Sequence, residues 1–129
     1  MTLQKLVHVA AAALEIATGV ALILSPSAAG RLLLATTAVS TAAAVFARLA
    51  GIGLFSLGLA CWPGKDASPA GQRAIVVYNL LAFVFLLSVG ISSERVGVIL
   101  WPAVVLHAVL SAFLVYDWLA ARKARKAAR

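Results

Sequence analysis

Glu15, Arg48 and His107 each interrupt a run of apolar side chains, and each lies on a different run. An ionisable group near a bilayer centre costs at least about 2.5–3.5 kcal/mol on insertion scales, so it is kept where it faces a partner, a cavity or a functional path. Counted at 1.5 Å per residue from one membrane boundary, Glu15 lies about 13 Å deep, Arg48 about 10 Å and His107 about 13 Å. An acid, a base and an imidazole at one level admit two readings. In the first they form a buried ligand site, where Arg48 binds an anion or carbonyl, Glu15 orients or exchanges protons and His107 is the titratable partner. In the second, Glu15 and Arg48 neutralise each other and His107 donates to a backbone carbonyl, which fixes helix register. Arg48 has a third course, to snorkel outward if its helix begins late.

A secondary polar layer near the opposite boundary holds His8, Tyr78 and Asn79, with Tyr116 and Asp117 beside it. Asp117 is an interfacial acid, whereas His8 and Asn79 each lie about 7 Å inside. His8, Ala12, Glu15 and Gly19 share one helix face, which is expected to point into the bundle. A polar stripe from His8 to Glu15 reads either as a proton or solute path or as interhelical hydrogen-bonding glue. Gly51 and Gly58 mark a packing seam that Arg48 overlooks, with Gly53 off that face, and Ala10, Ala13, Ala17 and Ala21 make a second small surface. Other chemistry is missing: the chain has no HExxH, CxxC, Walker-type glycine loop or nucleophile elbow. His8 and His107 differ in depth by about 10 Å, too far to share a haem or metal. Cys61, beside Trp62, reads as a packing residue. No catalytic residue, metal or cofactor is assigned, and the reading leans away from an enzyme.

The elements that must position these groups follow from composition. Of 129 residues, 64% are hydrophobic and 12% charged, against roughly a quarter charged in soluble domains, and the mean hydropathy is +1.04. A soluble domain this small would expose large apolar patches, and a single cysteine excludes a disulfide scaffold. The expectation is an all-α integral membrane four-helix bundle, one domain over 1–129, because only helices satisfy their own backbone in lipid without closing a barrel. Spans are expected near 3–24, 41–62, 74–90 and 98–119, each about long enough for 30 Å of hydrocarbon. Ser25-Pro26-Ser27, Trp62-Pro63-Gly64-Lys65-Asp66 and Ser92-Ser93-Glu94-Arg95 separate them, with Ser27 able to cap a new start and Pro102 in the first turns of the fourth span. As one helix, Arg31 to Trp62 would measure about 48 Å, so Arg31–Leu34 is expected along the interface, before a break near Thr36-Thr37. The first span is expected to be retained rather than cleaved as a signal peptide, because His8 and Glu15 interrupt it.

Lys5, Lys65, Arg73 and the tail Arg122, Lys123, Arg125, Lys126 and Arg129 fall on the side of the termini, and only Arg31 and Arg95 fall in the opposite loops. The positive-inside rule then puts both termini in the cytoplasm of a bacterial inner-membrane protein. Trp62, Tyr78, Tyr116 and Trp118 are expected in an inner aromatic belt, with Trp101 as an outer anchor. The net charge of +7 is mostly this topology. The basic tail 120–129, expected to continue as a frayed helix, attracts anionic lipid by about 1 kcal/mol per cation, so membrane lipids rather than nucleic acid are the expected partners.

The four-helix size, Glu15-x-x-x-Gly19 running into Ser25-Pro26, and Arg48-x-x-Gly51 together resemble the DoxX-like group of small bacterial membrane proteins. The resemblance implies a four-helix inner-membrane subunit of a type that sometimes accompanies quinone-linked sulfur oxidation or redox-stress complexes. It carries over no catalytic residue, and the Arg near the start of that group's first helix is absent here. The functional expectation is a non-catalytic accessory subunit, or a protein binding a lipid- or quinone-like ligand, in a larger membrane complex or a homodimer. The alternative is a small homo-oligomeric proton-coupled transporter whose alternating charge is Glu15.

Overall fold

The computed structural model describes residues 2–64 and 68–127; Lys65, Asp66 and Arg129, used above for the loop and for orientation, lie outside the described residues. The helices run α1 (Leu3–Leu24), α2 (Pro26–Leu34), α3 (Thr41–Ala60), α4 (Pro69–Ser92) and α5 (Leu100–Ala127). All but α2 are long and apolar enough to cross a membrane.

Hydroxyl caps set three of the starts. The side-chain oxygens of Thr2, Ser40 and Ser68 accept from the backbone N–H groups of Lys5 at 3.3 Å, Ala43 at 3.2 Å and Gly71 at 3.0 Å, pairing donors that a helix start leaves free. The Ser68 cap, with Pro69 in the first turn, starts α4 before the expected Ala74. Helix α2 opens at Pro26 with Ser25, not Ser27, at its N-cap. It stops at Ala35, whose φ of 52° is left-handed, and α3 resumes only at Thr41. The expected break near Thr36-Thr37 therefore exists. Helix α5 continues to Ala127, so most of the basic tail is its last turns, where the Arg122 guanidinium lies 4.8 Å from the Trp118 ring centre.

Helices α1 and α3 pack antiparallel along glycines. A Cβ at Gly19 would meet the Gly51 carbonyl oxygen at 2.6 Å, one at Gly51 would meet the Gly19 oxygen at 2.7 Å, and one at Gly58 would meet the Ala12 oxygen at 2.6 Å. Backbones this close are what small residues permit where lipid removes the hydrophobic drive for association. Gly53 has open space around it, as its off-seam position requires. Ala10, Ala17 and Ala21 are exposed, so the second small surface makes no seam within the chain; α1 buries instead the side that carries Val7, Ala11, Ala12, Glu15 and Gly19.

Helices α4 and α5 form the other packed pair. Where the two pairs meet, Val7, Ala11, Cys61, Ile75, Val76, Leu110 and Leu114 make the buried core. The Cys61 thiol donates to the Gly71 carbonyl oxygen at 3.2 Å, which supports the packing role. His8 on α1 and Asp117 on α5 approach to 4.0 Å, so both ends of the chain share one end of the bundle, the terminal end. At the far end, the N–H groups of Gly97 and Ile99 donate to the Leu33 and Leu32 carbonyls at 2.9 and 3.1 Å, tying α2 to the loop before α5. Outward-facing Phe46, Leu49, Ile52, Leu81, Val84 and Phe85 are exposed, an apolar belt suited to hydrocarbon.

Candidate functional site: a buried acid, amide and imidazole

Glu15 is 1% exposed, Asn79 is 0% and His107 is 8%. The three come from α1, α4 and α5. They meet because the face of α1 that carries Ala12, Glu15 and Gly19 is buried, as the helical spacing implies.

Asn79 is the hub. Its Nδ2 donates to the Ile75 carbonyl oxygen at 3.0 Å, and a carbonyl can only accept. The amide orientation is thereby fixed, and Oδ1 is turned toward His107 Nδ1 at 3.0 Å. Oδ1 can only accept too, so Nδ1 carries the hydrogen, and in the neutral ring Nε2 is left as a bare acceptor. Tyr78 meets the His107 ring edge-on with centroids 6.3 Å apart. The Glu15 carboxyl faces the side chains of Tyr78 and Asn79, yet its Oε1 makes no hydrogen bond, and neither does the buried Ser111 Oγ, one turn along α5 from His107. A buried polar atom without a partner costs about 1–3 kcal/mol. Two of them beside one cluster is an arrangement that packing alone does not favour.

Arg48 stands outside this cluster. It is exposed, and its Nε donates to the Ile23 carbonyl oxygen at 3.2 Å, one of the carbonyls that the end of α1 leaves unpaired. Antiparallel register is the reason: Gly51 meets Gly19, which sets Arg48, a turn before Gly51, against the last turn of α1 rather than against Glu15. A cation there also suits the negative end of the helix dipole. Among the described residues the one contact within 4.0 Å between a basic side chain and a carboxylate is His8 with Asp117, so the expected neutralisation of Glu15 by Arg48 is absent.

The polar groups are also grouped differently from expectation. Tyr78 and Asn79 belong with Glu15 and His107, while His8 stays at the terminal end, its Nδ1 bonded to the Gln4 carbonyl at 2.9 Å. Asn79 lies roughly 15 Å along α4 from Pro69 at 1.5 Å per residue, because α4 begins five residues before its expected apolar start at Ala74. Tyr78 is half-buried in the bundle. Sequence reading does not single out Ser111, whose signal is a hydroxyl one turn from His107 in the otherwise apolar stretch 100–115.

Among the described residues, no three His, Cys, Asp or Glu side chains converge to hold a metal. What the cluster offers is hydrogen bonding: an imidazole acceptor, a carboxyl oxygen and the phenol of half-buried Tyr78.

The Asn79–His107 bond gives a measurable prediction. A double-mutant cycle with Asn79→Leu and His107→Phe, read by unfolding in detergent, should return a coupling of about 0.6–1.7 kcal/mol, the range of interhelical hydrogen bonds in membranes. The matching Glu15/Arg48 cycle should return about zero, since the two share no partner.

No protein-family model, curated protein or solved structure matches this chain.

Proposed function

We propose that the chain is a non-catalytic four-span protein of the bacterial inner membrane, DoxX-like in kind, that binds the polar head of a lipid- or quinone-like molecule at Glu15, Tyr78, Asn79 and His107. The observation that carries this reading is the pair of hydrogen-bonding atoms left over: Glu15 Oε1 has no protein partner, and the Asn79 bond turns the free Nε2 of His107 away from itself. Half-buried Tyr78 gives such a head a lateral approach from the lipid. A head bearing hydroxyls, as a quinol does, matches two acceptors better than an anion would. Arg48, already bonded to Ile23, has no part in it.

The cytoplasmic placement of both termini rests on the Lys/Arg asymmetry, with Arg122, Lys123 and Lys126 near the terminal end and Arg31 and Arg95 in the opposite segments. Anionic headgroups are the natural partners of that basic end. The role as an accessory subunit draws on a sequence without a recognisable catalytic motif; a pull-down from native membranes that returns only this chain would count against it.

Titration of the detergent-solubilised protein with decyl-chain benzoquinol, followed by intrinsic fluorescence quenching, tests the binding reading. Saturable binding is expected, weakened at least about tenfold, or about 1.4 kcal/mol, in Asn79→Leu and unchanged in Arg48→Gln. Absence of saturation in the unaltered protein would overturn it. The transport alternative draws on the same unpaired Glu15, and pH-driven flux in proteoliposomes that Glu15→Gln abolishes would favour it.

A further inference from the structure

At the terminal end a cavity of about 110 Å³ opens between α1, α4 and α5. Polar Gln4, His8, Gln72 and Asp117 line it together with Val76 and Leu114; the latter two are buried, which makes them its floor and leaves the polar group as its mouth. A cavity needs only about 10–15 Å³ to hold one water, so several fit. Beyond the floor the order of residues is informative. One turn past Leu114 on α5 is Ser111, whose buried Oγ has no partner, and one turn past Val76 on α4 is Asn79, beside Glu15, whose Oε1 also has none. A single turn of apolar side chains thus separates a polar, water-sized cavity from two unsatisfied buried oxygens.

We propose that Glu15 is a proton-binding site served from the terminal end through this vestibule. A hydronium ion held at the His8–Asp117 mouth passes its proton across the Val76–Leu114 constriction, by way of water hydrogen-bonded to Ser111, to the Glu15 carboxylate. Water and the neutral acid result, release reverses the step, and no electron moves. The surroundings of Glu15 favour this use. Helix α4 presents Tyr78 and Asn79, α5 carries His107 bonded to Asn79, and α3 closes on α1 through Gly51 and Gly58. Among the described residues none sets a cation within 4.0 Å of the carboxyl. On α1 itself the nearest titratable group is His8, about 10 Å away along the axis. An acid with no counter-ion but with a water-sized approach is suited to carry a proton rather than a permanent charge. The inference stands on the vestibule and the unpaired oxygens, and it holds whether or not a lipid-like ligand binds.

Infrared spectroscopy of the full chain in lipid nanodiscs tests it. A carbonyl stretch of a protonated carboxylic acid is expected near neutral pH, removed by Glu15→Gln, with a deuterium shift whose rate reports access. Asp117→Asn should slow that exchange about tenfold, and Leu114→Ala, which opens the floor, should speed it. If Leu114→Ala does not fold, Asp117→Asn alone decides. No acid band lost in Glu15→Gln would overturn the proposal, and so would an exchange rate indifferent to Asp117→Asn; a change in Tyr78→Phe would then place access on the lipid side.

Discussion

Gly58→Leu should unfold the bundle or lower its stability by at least about 3 kcal/mol, the upper part of the range for overpacking. A Cβ at Gly58 meets the Ala12 carbonyl oxygen at 2.6 Å, Ile16 Cγ1 at 2.7 Å and the Ile16 backbone nitrogen at 3.0 Å. Two of these three neighbours are main-chain atoms, which cannot swing aside as a side chain could. The helices would have to separate, and α1 would then withdraw Glu15 from α4 and α5. Gly53→Leu is the internal control: nothing lies within 4 Å of its Cβ position, so its unfolding midpoint should stay near the starting value or rise slightly, since leucine is the better helix former. Thermal unfolding in one detergent, run on both variants, measures the contrast.

Glu15→Met should make the protein more stable, by about 1 kcal/mol, while removing ligand and proton binding. Methionine roughly keeps the volume and removes the unpartnered Oε1 from a position 1% exposed, whose lack of a hydrogen bond costs about 1–3 kcal/mol. The gain is partial because Tyr78 loses the carboxyl it faces. Asn79 keeps its bonds to Ile75 and His107, so the cluster does not collapse. A residue whose removal stabilises the fold is held in place by function, the usual sign of a site that works against packing. Arg48→Met should do the opposite, since it frees the Ile23 carbonyl that the guanidinium caps.

Much of this was legible in the chain. The four long apolar helices follow from the lengths of the apolar runs, and the inward face of α1 from the spacing of Ala12, Glu15 and Gly19. The Gly51–Gly58 seam followed from seven-residue spacing. Helix starts and pairing were harder, for two physical reasons. Helix α4 begins at Pro69 rather than Ala74 because hydropathy marks where a helix turns apolar, not where it begins; the Ser68-Pro69 cap carries that information. The pairing of Glu15 with Arg48 assumed that equal depth means contact. Contact depends on interhelical register, and the approach of Gly51 to Gly19 sets Arg48 against the end of α1. Periodicity within one helix contains nothing about that register.

The most direct test of the claim that Glu15 is kept for binding rather than for the fold is the unfolding free energy of Glu15→Met measured beside that of Arg48→Met. The account predicts opposite signs, with Glu15→Met more stable than the starting protein by about 1 kcal/mol and Arg48→Met less stable by a similar amount. A fall of several kcal/mol in both, as breaking a buried ion pair produces, would contradict it.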